Sequence, residues 1–222
     1  MDKPKLTKEQ VKTLFETKYI RVDDLQYKEA GHYYSATRRK ADRIMSVLSD
    51  EEFAGTLPDA ATCIVIIRRP YGEAKLLLTK EFRYPVGQYL LSPPAGLLDE
   101  RDADAPSPCV AAAVREIKEE TGLELKDTDK VFVVNPMCFS SPGMTDESNA
   151  MVCAVVEADG DLDLNSDGTE GIELIGDYTL YSREDALRLL AQGRDDEGVW
   201  YSIYTWAALM YFVSGLWQER IR

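Results

Sequence analysis

A single histidine, His32, and four cysteines, Cys63, Cys109, Cys138 and Cys153, are all the imidazole and thiol that the 222 residues offer a zinc ion. None of them falls in a CxxC or Cys/His cluster, which argues against a zinc site. Positive charge is also scarce: 26 basic residues stand against 39 acidic ones, a net charge of −13. That balance argues against a nucleic-acid partner, whose backbone needs a basic face. It still admits a small phosphorylated molecule, provided metal ions and a few arginines supply local positive charge. The longest uncharged run, Val199 to Trp217, has 19 residues and approaches the length of a membrane span. It contains Ser202, Thr205, Ser214 and Gly215, which suits a terminal helix buried against the domain or a partner subunit better than a membrane crossing. The N-terminal Met-Asp-Lys-Pro-Lys leads into polar sequence with no apolar signal core. The expectation is a reduced, cytoplasmic protein.

What is present suits a folded chain: 45% of residues are hydrophobic and 9% aromatic. Thr7 with Gln10 predicts a capping box that opens a helix to about Thr17. Residues 18–27, 32–39 and 42–48 alternate between apolar and polar, with a turn at Glu29-Ala30-Gly31, and predict a small antiparallel β unit from Tyr19 to Leu48. Ser49 to Pro58 reads as an acidic link, so the division falls at 1–57 and 58–222. Thr62 to Ile67 is continuous and β-branched, as a buried central strand should be. Further strands are expected at Ala74–Arg83, 130–136, 150–157 and 172–181, and Ser182 with Asp185 caps a helix from Glu184 to Gln192. The order predicts an α+β mixed sheet in an α/β/α layer arrangement, not a doubly wound βαβ series.

Ser107-Pro108 predicts a helix start and Gly122 its left-handed stop. Between them Val110, Val114, Ile117 and Thr121 share one face, expected to dock on the sheet. Glu116, Glu119 and Glu120 share another, with spacing i, i+3 and i+4. Like charges so placed repel, so the face either meets open water or holds divalent cations through hard oxygen ligands.

The stretch Arg115-Glu116-Ile117-Lys118-Glu119-Glu120-Thr121-Gly122-Leu123 resembles the second half of the Nudix box. Pro94-Ala95-Gly96 and Glu81-Phe82-Arg83-Tyr84-Pro85 resemble the ADP-ribose and nucleoside-diphosphate-sugar pyrophosphatase branch of that family. The first half of the box departs from the pattern. Separated from Gly96 by five residues, Asp102 stands where glutamate is expected, and twelve residues then separate it from Arg115, five more than the pattern allows. Asp102 or Glu100 could stand in for the missing glutamate.

The resemblance implies a Nudix α/β/α sandwich with an N-terminal β appendage that exchanges contacts across a homodimer. It implies Mg²⁺, or Mn²⁺, held by Glu116, Glu120, Glu119 and the Ala95 carbonyl, with Arg115 orienting a carboxylate. The catalytic base would be Glu170, with Glu173 behind it; otherwise these are an acidic loop leading into a strand. Arg83 and Arg39 would clamp phosphate and Tyr34 would stack on the base; otherwise they are an edge-strand charge and ordinary strand packing. Gly143, in the Ser141–Glu147 loop, would allow close approach of substrate. His32 reads as a surface residue beside a turn. The implied reaction is hydrolysis of ADP-ribose to AMP and ribose 5-phosphate. Another nucleoside-diphosphate sugar or dinucleotide is the alternative substrate, and a non-catalytic nucleotide-binding regulatory domain is the alternative of a different class.

Overall fold

The computed structural model describes residues 4–169 and 172–222. Two compact units are present: Met1–Asp59 with Met137–Asn149, and Ala60–Pro136 with Ala150–Arg222. In the first, strands β1 (Val11–Glu16), β2 (Arg21–Lys28) and β3 (Gly31–Thr37) form an antiparallel sheet in that order. The Thr7–Gln10 capping box forms, but the helix expected to reach Thr17 stops after the single 3₁₀ turn Lys8–Gln10. Val11 onward pairs with β2 instead, because a waiting strand partner and the β-branched Val11 and Thr13 outweigh the local helix signal. The strand expected at 42–48 is absent as well. Its place is taken by a turn closed from Arg43 N–H to the Lys40 carbonyl and a 3₁₀ turn at Met45–Val47, whose first N–H goes to Asp146 Oδ2 at 3.1 Å. The acidic link contains helix α1 (Asp50–Ala54), capped by Ser49 with Glu52. Leu6, Leu25 and Ile44 form this unit's small core. Residues 137–149 join it through the parallel bridge of Ala36 with Thr145 and the bonds of Asp59 to Ser148.

The second unit is built on a seven-stranded sheet. Its strands are β4 (Ala60–Arg68), β5 (Lys75–Arg83), β6 (Gln88–Ser92), β7 (Ala95–Leu97), β8 (Lys130–Phe139), β9 (Ser148–Glu157) and β10 (Ile175–Tyr181). The order is β10-β5-β4-β9-β8, with β6 on β5 and β7 on β4. The helices are α2 (Glu100–Ala103), α3 (Pro108–Thr121), α4 (Arg183–Gln192), α5 (Ile203–Ser214) and α6 (Leu216–Glu219). Every residue of β4 up to Ile67 is buried, as the continuous apolar run predicts.

Alternation on β4 sends Cys63, Val65 and Ile67 toward Ala112, Ala113 and Ile117 of α3. Ile64 and Ile66 point the opposite way, and α4 and α5 pack against β5, β4 and β6. The result is helices over a mixed α/β sheet. One expectation for α3 fails: Val114 is 37% exposed, while Cys109, Ala112 and Ala113 are buried in its stead. Small residues let the helix axis come close to β4, and that rotates the branched residue out. The 19-residue uncharged stretch becomes the 12-residue α5, started by Ser202 and ended by Gly215. Among the described residues no helix is long and apolar enough to cross a membrane.

Candidate active site

Glycine 96 shows most directly how the site is assembled. Cys63 N–H bonds the Pro94 carbonyl at 2.7 Å, and β7 pairs with β4, so the Pro94-Ala95-Gly96 chain is drawn across the end of α3. A Cβ placed on Gly96 would lie 1.9 Å from the carboxyl carbon of Glu116. Any side chain there would have to push that carboxylate aside. One residue earlier, Ala95 N–H donates to Glu120 Oε2 at 3.2 Å. The predicted ligands Ala95, Glu116 and Glu120 therefore come together.

Arg115 ties the rest. Its Nη1 donates to Glu116 Oε1 at 2.6 Å and Glu119 Oε2 at 3.0 Å; its Nη2 donates to Asp102 Oδ2 and the Leu97 carbonyl, both at 2.9 Å. Burial opposes the guanidinium's charge, but the bond to Asp102 and the charge of Glu116 outweigh it and hold its pKa above the ordinary value. Of the two candidates for the irregular first half of the box, Asp102 reaches the site and Glu100 is exposed. The extra residues follow α2 as a turn at 104–107; in α2 itself Asp99 and Asp102 form a capping box, and Asp99, bonded first of all by Arg101, is held at about 2. Ser107 makes no side-chain cap; Pro108 alone marks the start of α3.

The acidic face that the spacing predicts is largely buried. Glu116 and Glu120 are 8% and 2% exposed. Burial pushes the Glu116 carboxyl up to about 6 against the pull of Arg115. Burial, then the charges of Glu81 and Glu116, push Glu120 up to about 9. Glu81 was not anticipated as a site residue. It lies on β5, buried, with its carboxyl raised by burial, then lowered by Arg83 and raised by Glu173. The signal available was weak, since Glu81 follows the apolar Leu76 to Leu78 by only Thr79 and Lys80 and reads as the polar end of the strand.

Arg83 is half-exposed and paired with Glu81. Glu173 is exposed, and its charge acts on Glu81, Glu116 and Glu120. Glu170, the first choice as base, lies outside the described residues.

Tyr34, Arg39 and Gly143 belong to the first unit. Tyr34 is 61% exposed and lies nearly parallel to the His32 ring. Arg39 is committed within its unit: Nη2 donates to Asp59 Oδ2 at 2.9 Å and to Ser148 Oγ and the Leu57 carbonyl at 3.2 Å. The Gly143 carbonyl accepts from Tyr33 at 2.6 Å. This unit has a cavity of its own, about 380 Å³, whose walls include Tyr27, Tyr33, Phe53 and Phe139 but not Tyr34. His32 meets Asp24 Oδ2 through Nδ1 at 2.7 Å and has no place in the acidic cluster.

The donor set suits a hard divalent cation: carboxylates, mutually repelling and drawn out of water. As the side chains stand, no three Asp, Glu, His or Cys residues among those described converge on one point. Glu116 and Glu119 are turned to Arg115 and Glu120 to the Ala95 amide, so ligation requires side-chain rotation.

Comparison with known proteins gives these residues a context. The mouse ADP-sugar pyrophosphatase is 31% identical over 105 residues, covering 47% of this chain and 44% of that one. The ADP-ribose pyrophosphatase of Saccharomyces cerevisiae is 37% identical over 84 residues, 37% and 32% of the two chains. Nudix hydrolase 14, chloroplastic, of Arabidopsis thaliana is 37% identical over 94 residues, 39% and 29%. The matched stretches span half or less of these relatives' lengths. A crystal structure of an ADP compounds hydrolase shares the fold, with a TM-score of 0.56 at 18% identity over 96% of this chain and 94% of that one. The NUDIX domain model matches residues 57–201, well over half of the chain, and the protein belongs to that family.

Proposed function

We propose that the chain is a divalent-metal-dependent hydrolase of a nucleoside diphosphate linked to a further moiety, with ADP-ribose as the leading substrate. The buried carboxylates Glu116, beside Gly96, Glu120, bonded by the Ala95 amide, and Glu81, whose charge acts on Glu120, carry the reading. The names of the mouse and yeast relatives support the substrate class. Glu116, Glu120, the Ala95 carbonyl and Glu119 would hold Mg²⁺ or Mn²⁺. That ion would offset the diphosphate's charge and lower the pKa of a bound water.

The chain's own residues do the rest. Arg115 fixes Glu116 and Glu119 from one side. Glu170, or Glu173 if Glu170 proves dispensable, takes the proton of the attacking water. The water oxygen bonds phosphorus, the P–O–P bridge breaks, and its electrons leave with the departing phosphate. For ADP-ribose the products are AMP and ribose 5-phosphate. Arg83 would turn from Glu81 to a phosphate oxygen, and Tyr34 and Gly143 would meet the nucleoside. Arg39 would reach phosphate only by leaving Asp59. A cytoplasmic homodimer assembled through the N-terminal sheet belongs to the same proposal.

Incubation with ADP-ribose, UDP-glucose, GDP-mannose, NADH and 8-oxo-dGTP in Mg²⁺ should show the highest kcat/KM on ADP-ribose. Binding without turnover of any of them would overturn the enzymatic reading in favour of a binding domain. Glu170→Gln should reduce kcat more than it weakens binding. The same loss from Glu173→Gln, with Glu170→Gln unaffected, would move the base to Glu173.

A further inference from the structure

The β2–β3 ribbon of the first unit has two chemically different faces. Directly opposed strand residues share a face, and the register sets Asp23 against Ser35 and Leu25 against Tyr33, with Asp24 against Tyr34 between them. Asp24, His32 and Tyr34 therefore lie on one side, where His32 bonds Asp24 and its ring lies nearly parallel to that of Tyr34. Asp23, Leu25, Tyr33 and Ser35 lie on the other side and line the cavity of about 380 Å³. The lining from outside the ribbon includes Asp146, Phe53 of α1 and Phe139, the two rings being 6.3 Å apart between centroids and 23° from parallel.

The walls combine aromatic rings with negative charge. Tyr27, Tyr33 and Phe53 line the cavity while remaining partly exposed, so a small molecule can reach aromatic surface there. The two lining carboxylates differ in how they are answered. Asp23 Oδ2 accepts from Arg21 Nε and Oδ1 from the Thr13 hydroxyl, both at 2.9 Å. Asp146 Oδ2 accepts only the Met45 N–H, at 3.1 Å, and Oδ1 is buried with no hydrogen-bond partner. Among the described residues no cation pairs with Asp146. A buried carboxylate oxygen in that state is costly. No lysine or arginine lines the cavity, so nothing in its walls offsets the charge of a phosphate.

We propose that this cavity is a binding site for a small organic ammonium ion with an apolar or aromatic body, its nitrogen donating to Asp146 and its body lying against Tyr27, Tyr33, Phe53 and Phe139. A protonated amine answers both features of the walls. It donates to a carboxylate with the assistance of charge, and it is attracted to the faces of aromatic rings. A neutral molecule would use the rings and leave Asp146 without a counter-charge, and an anion would add to the charge already there. The site shares no residue with the carboxylates around Glu116 and stands independently of the hydrolase reading. Tyr34, proposed above to meet the nucleoside, is on the opposite face of the ribbon.

Tyramine, tyrosol and 4-hydroxyphenylacetate carry the same phenol on a short chain that ends in an ammonium, a hydroxyl and a carboxylate. Titrated calorimetrically into the full chain in Mg²⁺, tyramine should bind with a Kd of about 0.1–1 mM. The other two should bind at least about tenfold more weakly. Asp146→Asn keeps an acceptor for the Met45 N–H; it should weaken tyramine about tenfold and leave tyrosol unchanged. Phe53→Leu should weaken tyramine about threefold. Glu116→Gln should leave the tyramine Kd as it is, and AMP should not displace the amine. No binding of tyramine at about 10 mM, equal affinity for the three probes, or an unchanged Kd in Asp146→Asn would overturn the proposal. So would loss of binding in Glu116→Gln, which puts the amine among the α3 carboxylates, or displacement by AMP, which makes the cavity part of the nucleotide site. If Asp146→Asn does not fold, Phe53→Leu and the ranking of the three probes decide.

Discussion

Glu120→Gln is expected to abolish turnover while making the metal-free protein more stable at neutral pH. Glu120 is 2% exposed, and its carboxyl is pushed up to about 9, first by burial and then by Glu81 and Glu116. Its folded-state pKa lies above the unfolded value of about 4.3. Folding therefore favours the protonated acid. The stability it contributes is complete below about pH 4 and is lost as pH rises toward 9. Glutamine stays neutral throughout and can still accept from Ala95 N–H. At pH 7.5 in EDTA the variant should gain on the order of 1–3 kcal/mol, about 3–10 °C in Tm, and at pH 4 the gain should vanish. Turnover in Mg²⁺ should meanwhile fall on the order of 10³-fold, because a neutral amide is a poor ligand for a hard cation. Glu116→Gln should lose turnover similarly, with a smaller stability gain. Its carboxyl is raised only to about 6, and the variant also loses the charge that Arg115 faces. Near-wild-type turnover in both variants, or a Tm that falls at pH 7.5 in Glu120→Gln, would make the cluster structural instead.

The helix that carries this chemistry was legible because its ends are written in local chemistry. Pro108 sets φ at the first turn, and Gly122 supplies the left-handed stop. Its charged face was also legible, as three glutamates at helical spacing. Their burial was not, because burial depends on Gly96 crossing above Glu116, a contact across twenty residues of sequence. Glu81 escaped for a related reason: its meaning comes from the neighbour it charges, Glu120, and that neighbour lies on another element. Local signals misled where a tertiary partner competed with them. Thr7 and Gln10 do form their box, yet β2 takes the residues beyond it as a strand. Short strands such as β6 and β7, on either side of Pro93-Pro94, had too few residues for any period to show. The sign of these failures is consistent: pattern located the elements, and long-range contact decided which faces and carboxylates they bury.

Arg115→Ala should do the reverse of Glu120→Gln and lower both activity and stability. The guanidinium is the shared donor for Asp102, Glu116, Glu119 and the Leu97 carbonyl. Asp102 and Glu116 are 4% and 8% exposed. Removing the cation leaves both carboxylates buried without their main counter-charge, a change worth about 3–5 kcal/mol. A denaturant titration in EDTA should record it as a lower midpoint with an unchanged slope. Arg115→Lys should recover little, because an ammonium on a flexible stem cannot meet four acceptors arranged around a planar fork. Substituting the partner gives the sharper test. Asp102→Asn should destabilise the wild-type chain but cost much less in the Arg115→Ala background, where the aspartate no longer has a guanidinium to answer. A midpoint unchanged in Arg115→Ala, or an Asp102→Asn cost that is the same in both backgrounds, would sink the argument. Coupling of these two residues would also account for the irregular first half of the box. The five extra residues lie between Asp102 and Arg115, after α2, and the capping box of α2 holds Asp102 within 2.9 Å of Arg115. A carboxylate one methylene shorter than the expected glutamate is then brought by its backbone to a position that glutamate would otherwise reach by its side chain.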